Sequence, residues 1–306
     1  MNTIKKQQKK SLDVFIVAPS EGYELLDSGN GEKYERFGAH TLSRPDPQAL
    51  WKPGLDPLEW KKSQAYFTRD GTNAEWTFRT KLPDRWEIDF AGLKFWIKPT
   101  SFKHTGLFPE QASNWAWMEH KIRDEVEKRE GGEAENSVEV LNLFGYTGGA
   151  SLACAKAGAK VVHIDGSKAA ITWARENAEL SGLADKPIRW IIEDARVFVE
   201  REIRRGRSYD GIVLDPPAFG HGPDSELWKI EDDFLPLLEN CFKLLKPKPL
   251  FLIVNGYSAG YSVLAYENAL APLVAAHGGS IEIGELALAE TSGRLLPSGI
   301  CARWRA

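Results

Sequence analysis

Four short apolar runs in this chain end in residues that could bind or polarise a ligand. The first, Val140–Phe144, breaks into Gly145, Tyr146, Thr147, Gly148 and Gly149, with Asn142 inside the run. Glycine at such a break lets backbone come closer to a ligand than a side chain would permit, although a tight strand-to-helix turn also calls for glycine. The second run ends in Asp165, followed by Gly166, Ser167 and Lys168. Its carboxylate falls roughly 20 residues after the glycine loop, where it can accept from ribose hydroxyls. The third ends in Glu193, Asp194 and Ala195, where another acidic group can meet an adenine amine. Asp165 and Asp194 also suit plain helix N-caps. As a set, the three ends describe an adenosine pocket.

The fourth run ends in Asp215, Pro216, Pro217, Ala218 and Phe219. Paired prolines fix φ and remove two N–H donors, so their carbonyls point rigidly. That arrangement suits holding a planar amine or ring nitrogen while its lone pair attacks a methyl group. Phe219 can stack on a base face. A Pro-Pro pair can also simply end a strand. The glycine spacing is not Gly-x-Gly-x-x-Gly, and with the Pro-Pro tip this disfavours nicotinamide hydride transfer.

These ends must be carried by a regular alternation. The pattern predicts strands at Val138–Phe144, Lys160–Ile164, Ile188–Ile192, Gly211–Leu214 and Leu250–Val254. Helices are expected at Trp115–Lys128, Gly149–Ala157, Lys168–Ser181, Ser225–Leu245 and Gly260–His277, with Gly131-Gly132 ending the first. Apolar strands separated by helices imply a parallel sheet covered on both faces. Two last strand-like segments, Ser280–Leu288 and Gly299–Trp304, have no helix between them and suit an antiparallel hairpin. Before this region, Tyr23–Leu26 and Lys33–Phe37 flank a loop at Asp27–Gly31, and further alternating runs meet at Ala91-Gly92. The expected organisation is a basic tail over residues 1–12, a small β-rich domain over 13–100 and an α/β domain over 101–306.

The 306-residue chain has an ordinary soluble composition and a net charge of −4, which gives no global reason to expect nucleic acid. Lys5, Lys6, Lys9 and Lys10 form a solvated tail that could touch phosphate. No apolar run is long enough to span a membrane, and no signal-peptide core follows the basic start, so a cytoplasmic setting is expected. Cys154, Cys241 and Cys301 lack metal-ligand spacing, so no metal is expected.

The set of strand ends resembles class I S-adenosylmethionine-dependent methyltransferases. More narrowly, it resembles the bacterial 23S rRNA methyltransferase family of cytosine-C5 and guanine-N7 type. There a Lys-x-Thr-Gly motif precedes the catalytic sheet, and here the matching stretch runs from Phe102 through Lys103, His104, Thr105, Gly106 and Phe108 to Gln111. The resemblance implies a Rossmann-like seven-stranded sheet whose last strand is inserted antiparallel, and S-adenosylmethionine as cofactor. It implies that Asn142, Phe144, Gly145, Tyr146, Thr147 and Gly148 line the methionine and sugar end. Asp165 with Ser167 would take the ribose, and Asp194 with Ala195 the adenine. Thr105, Phe108 and Gln111 would close over the cofactor, while Asp215, Pro216, Pro217 and Phe219 would face the methyl group. RNA, specifically rRNA, is the implied partner.

The chain departs from that family in two places. Cytosine-C5 enzymes need a thiolate to activate the ring, and the positions that carry it hold Ala218 and Val254-Asn255-Gly256-Tyr257. The family's common N-terminal PUA domain is not recognisable. Direct transfer to a base nitrogen is therefore expected. A small-molecule or protein acceptor, or a protein that binds but does not catalyse, stands as the alternative. His104 and His163 flank the pocket and read as structural histidines. Arg294 and Ser298 lie in the last hairpin near enough for a substrate role. The tryptophans of the N-terminal half read mostly as packing.

Overall fold

The computed structural model describes residues 12–70, 73–101, 103–129, 137–257 and 260–306; the tail lysines, Phe102 and Gly131-Gly132 lie outside them. Strand β1 (Asp13–Val17) is followed by β2 (Tyr23–Gly29), β3 (Glu32–Phe37) and β4 (His40–Pro45). After a single turn of helix, α1 (Pro57–Trp60), come β5 (Ala65–Asp70) and β6 (Asn73–Phe78). Strands β2–β6 form one sheet, and β7 (Trp86–Phe90) pairs with β8 (Leu93–Ile97) as a separate hairpin. Both tight turns have the positive φ angles that two-residue hairpins demand, at Asn30-Gly31 and Ala91-Gly92. The first turn is shorter than the five-residue loop expected from the sequence. Asp27 and Ser28 stay paired in the strand, past a register shift between Leu25 and Asp27.

A 3-10 turn at Pro109–Gln111 leads into α2 (Ala112–Arg129), and the alternation then begins. It runs β9 (Glu139–Leu143), α3 (Gly149–Lys156), β10 (Lys160–Asp165), α4 (Lys168–Leu180), β11 (Ile188–Ile192), α5 (Ala195–Arg204) and β12 (Gly211–Leu214). A short hairpin of β13 (Phe219–His221) and β14 (Leu227–Lys229) precedes α6 (Ile230–Lys243). Last come β15 (Phe251–Gly256), α7 (Val263–His277), β16 (Ser280–Ala289) and β17 (Leu295–Arg305).

The large sheet has the order β1-β16-β17-β15-β12-β9-β10-β11. Strands β9, β10, β11, β12 and β15 are parallel, while β17 lies antiparallel between β15 and β16. This is the Rossmann-like α/β arrangement with an inserted last strand, and β1 adds an eighth strand beside β16. The first strand of the expected 13–100 segment thus belongs by hydrogen bonding to the catalytic sheet. Alternate residues of the buried strands feed two cores. Val140, Val161 and Val213 face α2 and α3, whereas Leu141, Val162 and Ile212 face α5–α7. The first core runs on without a break into Tyr23, Phe37, Ile88 and Phe95, and the Trp115 ring stacks on Phe95 at 5.5 Å.

The helix expected over Ser225–Leu245 begins only at Ile230. Ser225 sits at φ 70°, outside the helical region. Leu227–Lys229 pairs with Phe219–His221, and the Trp228 indole donates to the Pro217 carbonyl at 2.7 Å. A cross-strand ladder and a buried indole bond outweigh the helical spacing of the apolar residues.

Candidate functional site

At the C-terminal ends of the parallel strands lies a cleft of about 380 Å³. Phe108, Gln111, Phe144, Tyr146, Asp165, Ser167, Asp194, Ala195, Asp215, Pro216 and Pro217 all line it, so most of the sequence-derived residues do converge. A smaller pocket of about 50 Å³ adjoins it and brings in Asn142, Gly145 and Thr147.

The loop after β9 is wound tightly. Phe144 and Tyr146 take φ of 58° and 49°, values that cost a side-chain-bearing residue free energy and persist only where neighbours enforce them. Gly145 donates to the Ile164 carbonyl at 2.9 Å, and the Tyr146 amide donates to Asp165 Oδ2 at 2.8 Å. Thr147 Oγ1 donates to the Gly106 carbonyl at 2.6 Å, while Asn177 holds the Thr147 carbonyl at 2.9 Å. The loop glycines answer to protein neighbours. A Cβ on Gly145 would lie 2.4 Å from the His163 ring, and one on Gly149 would lie 2.2 Å from Trp115. Gly148, at φ 94°, caps α3. Packing and backbone geometry alone thus call for glycine at these positions, as the tight-turn reading expected. Asn142 is buried and donates to Ser151, beneath the loop.

Asp165 accepts from two amides, those of Tyr146 and Ser167, each at 2.8 Å. Burial pushes its pKa up from the usual range, and the two amides pull the other way. Each oxygen keeps capacity for a further donor. Ser167 caps α4 by accepting from Ala170 at 3.2 Å. Asp194 caps α5 and is gripped by Arg196, so the cap reading describes its carboxylate well. Burial works to raise its pKa, but the bonds from Arg196 and Val197 hold it below the ordinary value. Glu193 is paired with Arg201.

Asp215 sits where β12 ends. Its Oδ2 accepts a long 3.4 Å bond from Gln111, and burial alone pushes its pKa up to about 6. Gln111 is held by Asn114 at 2.8 Å, and Asn114 in turn by Arg303 at 2.7 Å. The Pro217 carbonyl is taken by Trp228, which leaves Asp215 and Pro216 facing the cleft. Phe219 does not line the cleft; its ring is exposed on β13 against His221. Thr105 is buried with no hydrogen-bond partner for Oγ1 among the described residues. Aromatic rings wall the site, with Phe108 and Tyr146 at 5.3 Å and Phe144 and Trp228 at 5.0 Å.

The sequence reading passed over several lining residues. Glu110 is buried, its Oε2 has no partner among the described residues, and burial pushes its pKa up to about 7. It stands between Phe108 and Gln111, so the same segment could have revealed it. Trp228 was hidden inside the expected helix. Asn255, near the end of β15, and Tyr257, just after it, were read only for a missing cysteine. Burial holds His104 neutral, down at about 4, and His163 at about 3. The cysteines are buried and burial raises each thiol, that of Cys301 to about 11. Ser298 lines the cleft, but Arg294 is committed elsewhere, to Asp27 at 2.7 Å and Glu290 at 2.9 Å.

Glu110, Asp165, Glu193, Asp194 and Asp215 give the cleft wall five carboxylates, and its lining contains no lysine or arginine among the described residues. With Glu193 and Asp194 paired to Arg201 and Arg196, Asp165 and Asp215 leave the negative charge that suits a ligand bearing positive charge and a ribose. No described helix is long and apolar enough to cross a membrane.

A family model described as S-adenosylmethionine-dependent methyltransferase matches residues 62–274. The chain is 32% identical over 163 residues to Ribosomal RNA large subunit methyltransferase K/L of Pseudoalteromonas atlantica, covering 53% of this chain. It is 34% identical over 158 residues to the protein of that name in Shewanella baltica. The matched stretch spans 21% and 20% of those proteins. A crystal structure of a SAM-dependent methyltransferase from Agrobacterium tumefaciens superposes with a TM-score of 0.87 at 37% identity, covering 98% of this chain and 97% of that one. A Streptococcus mutans structure shares the fold, with a TM-score of 0.70 at 14% identity.

Proposed function

This chain belongs to the S-adenosylmethionine-dependent methyltransferase family, and we propose on that premise that it methylates a base nitrogen of rRNA by direct in-line transfer. The observation that carries this reading is the convergence of four consecutive strand tips on one cleft rich in carboxylates and aromatic rings. When bound, the cofactor supplies an electrophilic methyl on a positively charged sulfur. Phe144 and Tyr146 favour that charge by cation–π contact, at about 0.5–2 kcal/mol. Asp165, backed by Ser167, takes the ribose hydroxyls, and Asp194 with Ala195 borders the adenine. Phe108 and Gln111 close the near side, with Thr105 buried behind them, while Asn142, Gly145, Thr147 and Gly148 hold the loop in shape.

Asp215 and the Pro216 carbonyl orient the acceptor nitrogen, with Pro217 and its partner Trp228 as the stiff wall behind them. With a pKa near 6, Asp215 is ionised at neutral pH and can take the proton that an attacking amine releases. Placement of the acceptor in line supplies most of the acceleration, ~7–11 kcal/mol in well-oriented systems. Phe219, exposed at the rim, offers a stacking surface to RNA outside the cleft. No cysteine lines the cleft among the described residues, which supports transfer without a covalent intermediate. The rRNA acceptor is supported by the names of the relatives. We take the enzyme to work in the cytoplasm, as two domains over residues 13–100 and 101–306 that share one core and, through β1 beside β16, one sheet.

The test is transfer of labelled methyl from S-adenosylmethionine to rRNA from a strain lacking the gene and from its parent. Label is expected in the deletion-strain RNA alone. Equal labelling of both, or of neither, would overturn the rRNA reading.

A further inference from the structure

Beside the cleft lies a second cavity of about 360 Å³, lined among others by Gln48, Tyr257, Tyr261, Tyr266, Glu285 and Pro297. The two spaces share Gly256 and Tyr257, at the tip of β15. Tyr257 and Tyr261 are 42% and 38% exposed, so each leaves ring surface open. Tyr266 differs. It is 2% exposed, its ring packs on Phe234 at 5.2 Å, and its hydroxyl lies 2.3 Å from where a Cβ of Gly256 would stand. That hydroxyl has no hydrogen-bond partner among the described residues. A buried hydroxyl left unpaired costs free energy that a ligand atom would recover. Burial pushes the phenol up to about 12, so it stays protonated and can donate as well as accept.

The described lining has no lysine or arginine and does include Glu285, so a phosphate is repelled. Tyrosine rings, a buried phenol and an amide suit a neutral planar ring with polar edges. The volume lies within the ~300–1,000 Å³ of small-ligand sites. We propose that this cavity is a subsite for a nucleobase flanking the methylated one, with Tyr257 and Tyr261 stacking on it and the Tyr266 hydroxyl bonding to its edge. A base seated here would fix which neighbouring nucleotide enters the cleft through the shared Gly256–Tyr257 border. This rests on the rRNA reading above.

The experiment compares methyl-transfer kinetics on rRNA from the deletion strain for the wild type, Tyr261→Ala and Tyr266→Phe. Binding of S-adenosylhomocysteine and thermal unfolding are measured alongside. Losing one stacking ring is expected to raise the KM for RNA by at least about fivefold in Tyr261→Ala. The conservative Tyr266→Phe, which keeps the ring, should raise it by about two- to fivefold. In both, kcat and S-adenosylhomocysteine binding should match the wild type; the unfolding temperature should hold in Tyr261→Ala and should not fall in Tyr266→Phe, which removes the unpaired hydroxyl. An active wild type with unchanged KM in both variants would remove the subsite and leave the rRNA reading standing. An inactive wild type would take both down. Loss of cofactor-product binding in both variants would place these tyrosines in the cofactor site instead and equally overturn the subsite.

Discussion

Asp165 ends β10 and Asp215 follows β12, the strands on either side of β9, yet their charges are held differently. Asp165 is braced by two amides, that of Tyr146 from the loop after β9 and that of Ser167 from its own turn, whereas Asp215 receives one long bond from a glutamine. Asp165→Ala should therefore raise the dissociation constant for S-adenosylhomocysteine about tenfold or more, since charged hydrogen bonds are worth ~1.5–3 kcal/mol. Asp215→Ala should keep that binding within about threefold and abolish transfer. Calorimetry and a turnover assay separate the two, and the reverse pattern would refute the division of roles. Glu110 gives a pH signature. Its folded-state pKa of about 7 exceeds the ordinary carboxylate value, so its contribution to stability is full below about 4.5 and fades as pH rises through 7. Lys33 and Arg44 oppose this rise and Glu35 adds to it. Glu110→Gln should consequently gain unfolding temperature relative to wild type between pH 5 and pH 8. A gap that stays constant across that range would show that the carboxyl is not held protonated.

At the scale of elements, the strand-to-helix loop after β9 is held by fit between β9, β10 and α2. Gly145 stands against the His163 ring and Gly149 against Trp115, with no room for another atom. Gly145→Ala should cost about 1–3 kcal/mol of stability, as overpacked cores do. It should also weaken cofactor-product binding, because Phe144 and Tyr146 ride on that loop. A variant with wild-type melting and binding would show that the loop yields easily. The β13–β14 hairpin makes a complementary point. Its backbone ladder and the Trp228 to Pro217 bond place an indole in the cleft wall, where helical spacing alone would have left a solvent-facing residue.

Across the whole molecule, the N-terminal sheet is fastened to the last hairpin of the catalytic sheet by charge. Arg294 reaches Asp27, Glu290 and the Ser28 carbonyl, and its guanidinium lies 5.5 Å from the Trp51 ring centre. Ser28 also donates to Glu290. Both carboxylates are buried, and Arg294→Ala would remove their cation while leaving Asp27 its bonds from Gly54, Leu55 and Trp60 and Glu290 its bonds from Ser28 and Ser292. A loss of about 1–3 kcal/mol is expected, discounted from the value for a fully buried pair because Arg294 is partly exposed and the carboxylates keep other donors. Unfolding temperature should fall by several degrees. Cofactor-product binding should hold, since Arg294 does not line the cleft. An unchanged melting curve would mean that the two sheets are held by the shared apolar core alone.

The order of strands and helices, the two-faced burial of the sheet and the four chemical tips were legible along the chain. Hydrophobic period and strand-end chemistry are local properties, written over a few residues. Asp165, Asp194, Asp215 and Pro216 could be named for that reason. What the tertiary structure alone decided depends on residues far apart in sequence. It put Asp13–Val17 beside β16, turned Arg294 away to Asp27, filled the spaces of Gly145 and Gly149 with a histidine and a tryptophan, and brought Trp228 to the cleft wall. Contacts between distant segments follow from packing and charge pairing in three dimensions, and no local pattern encodes them.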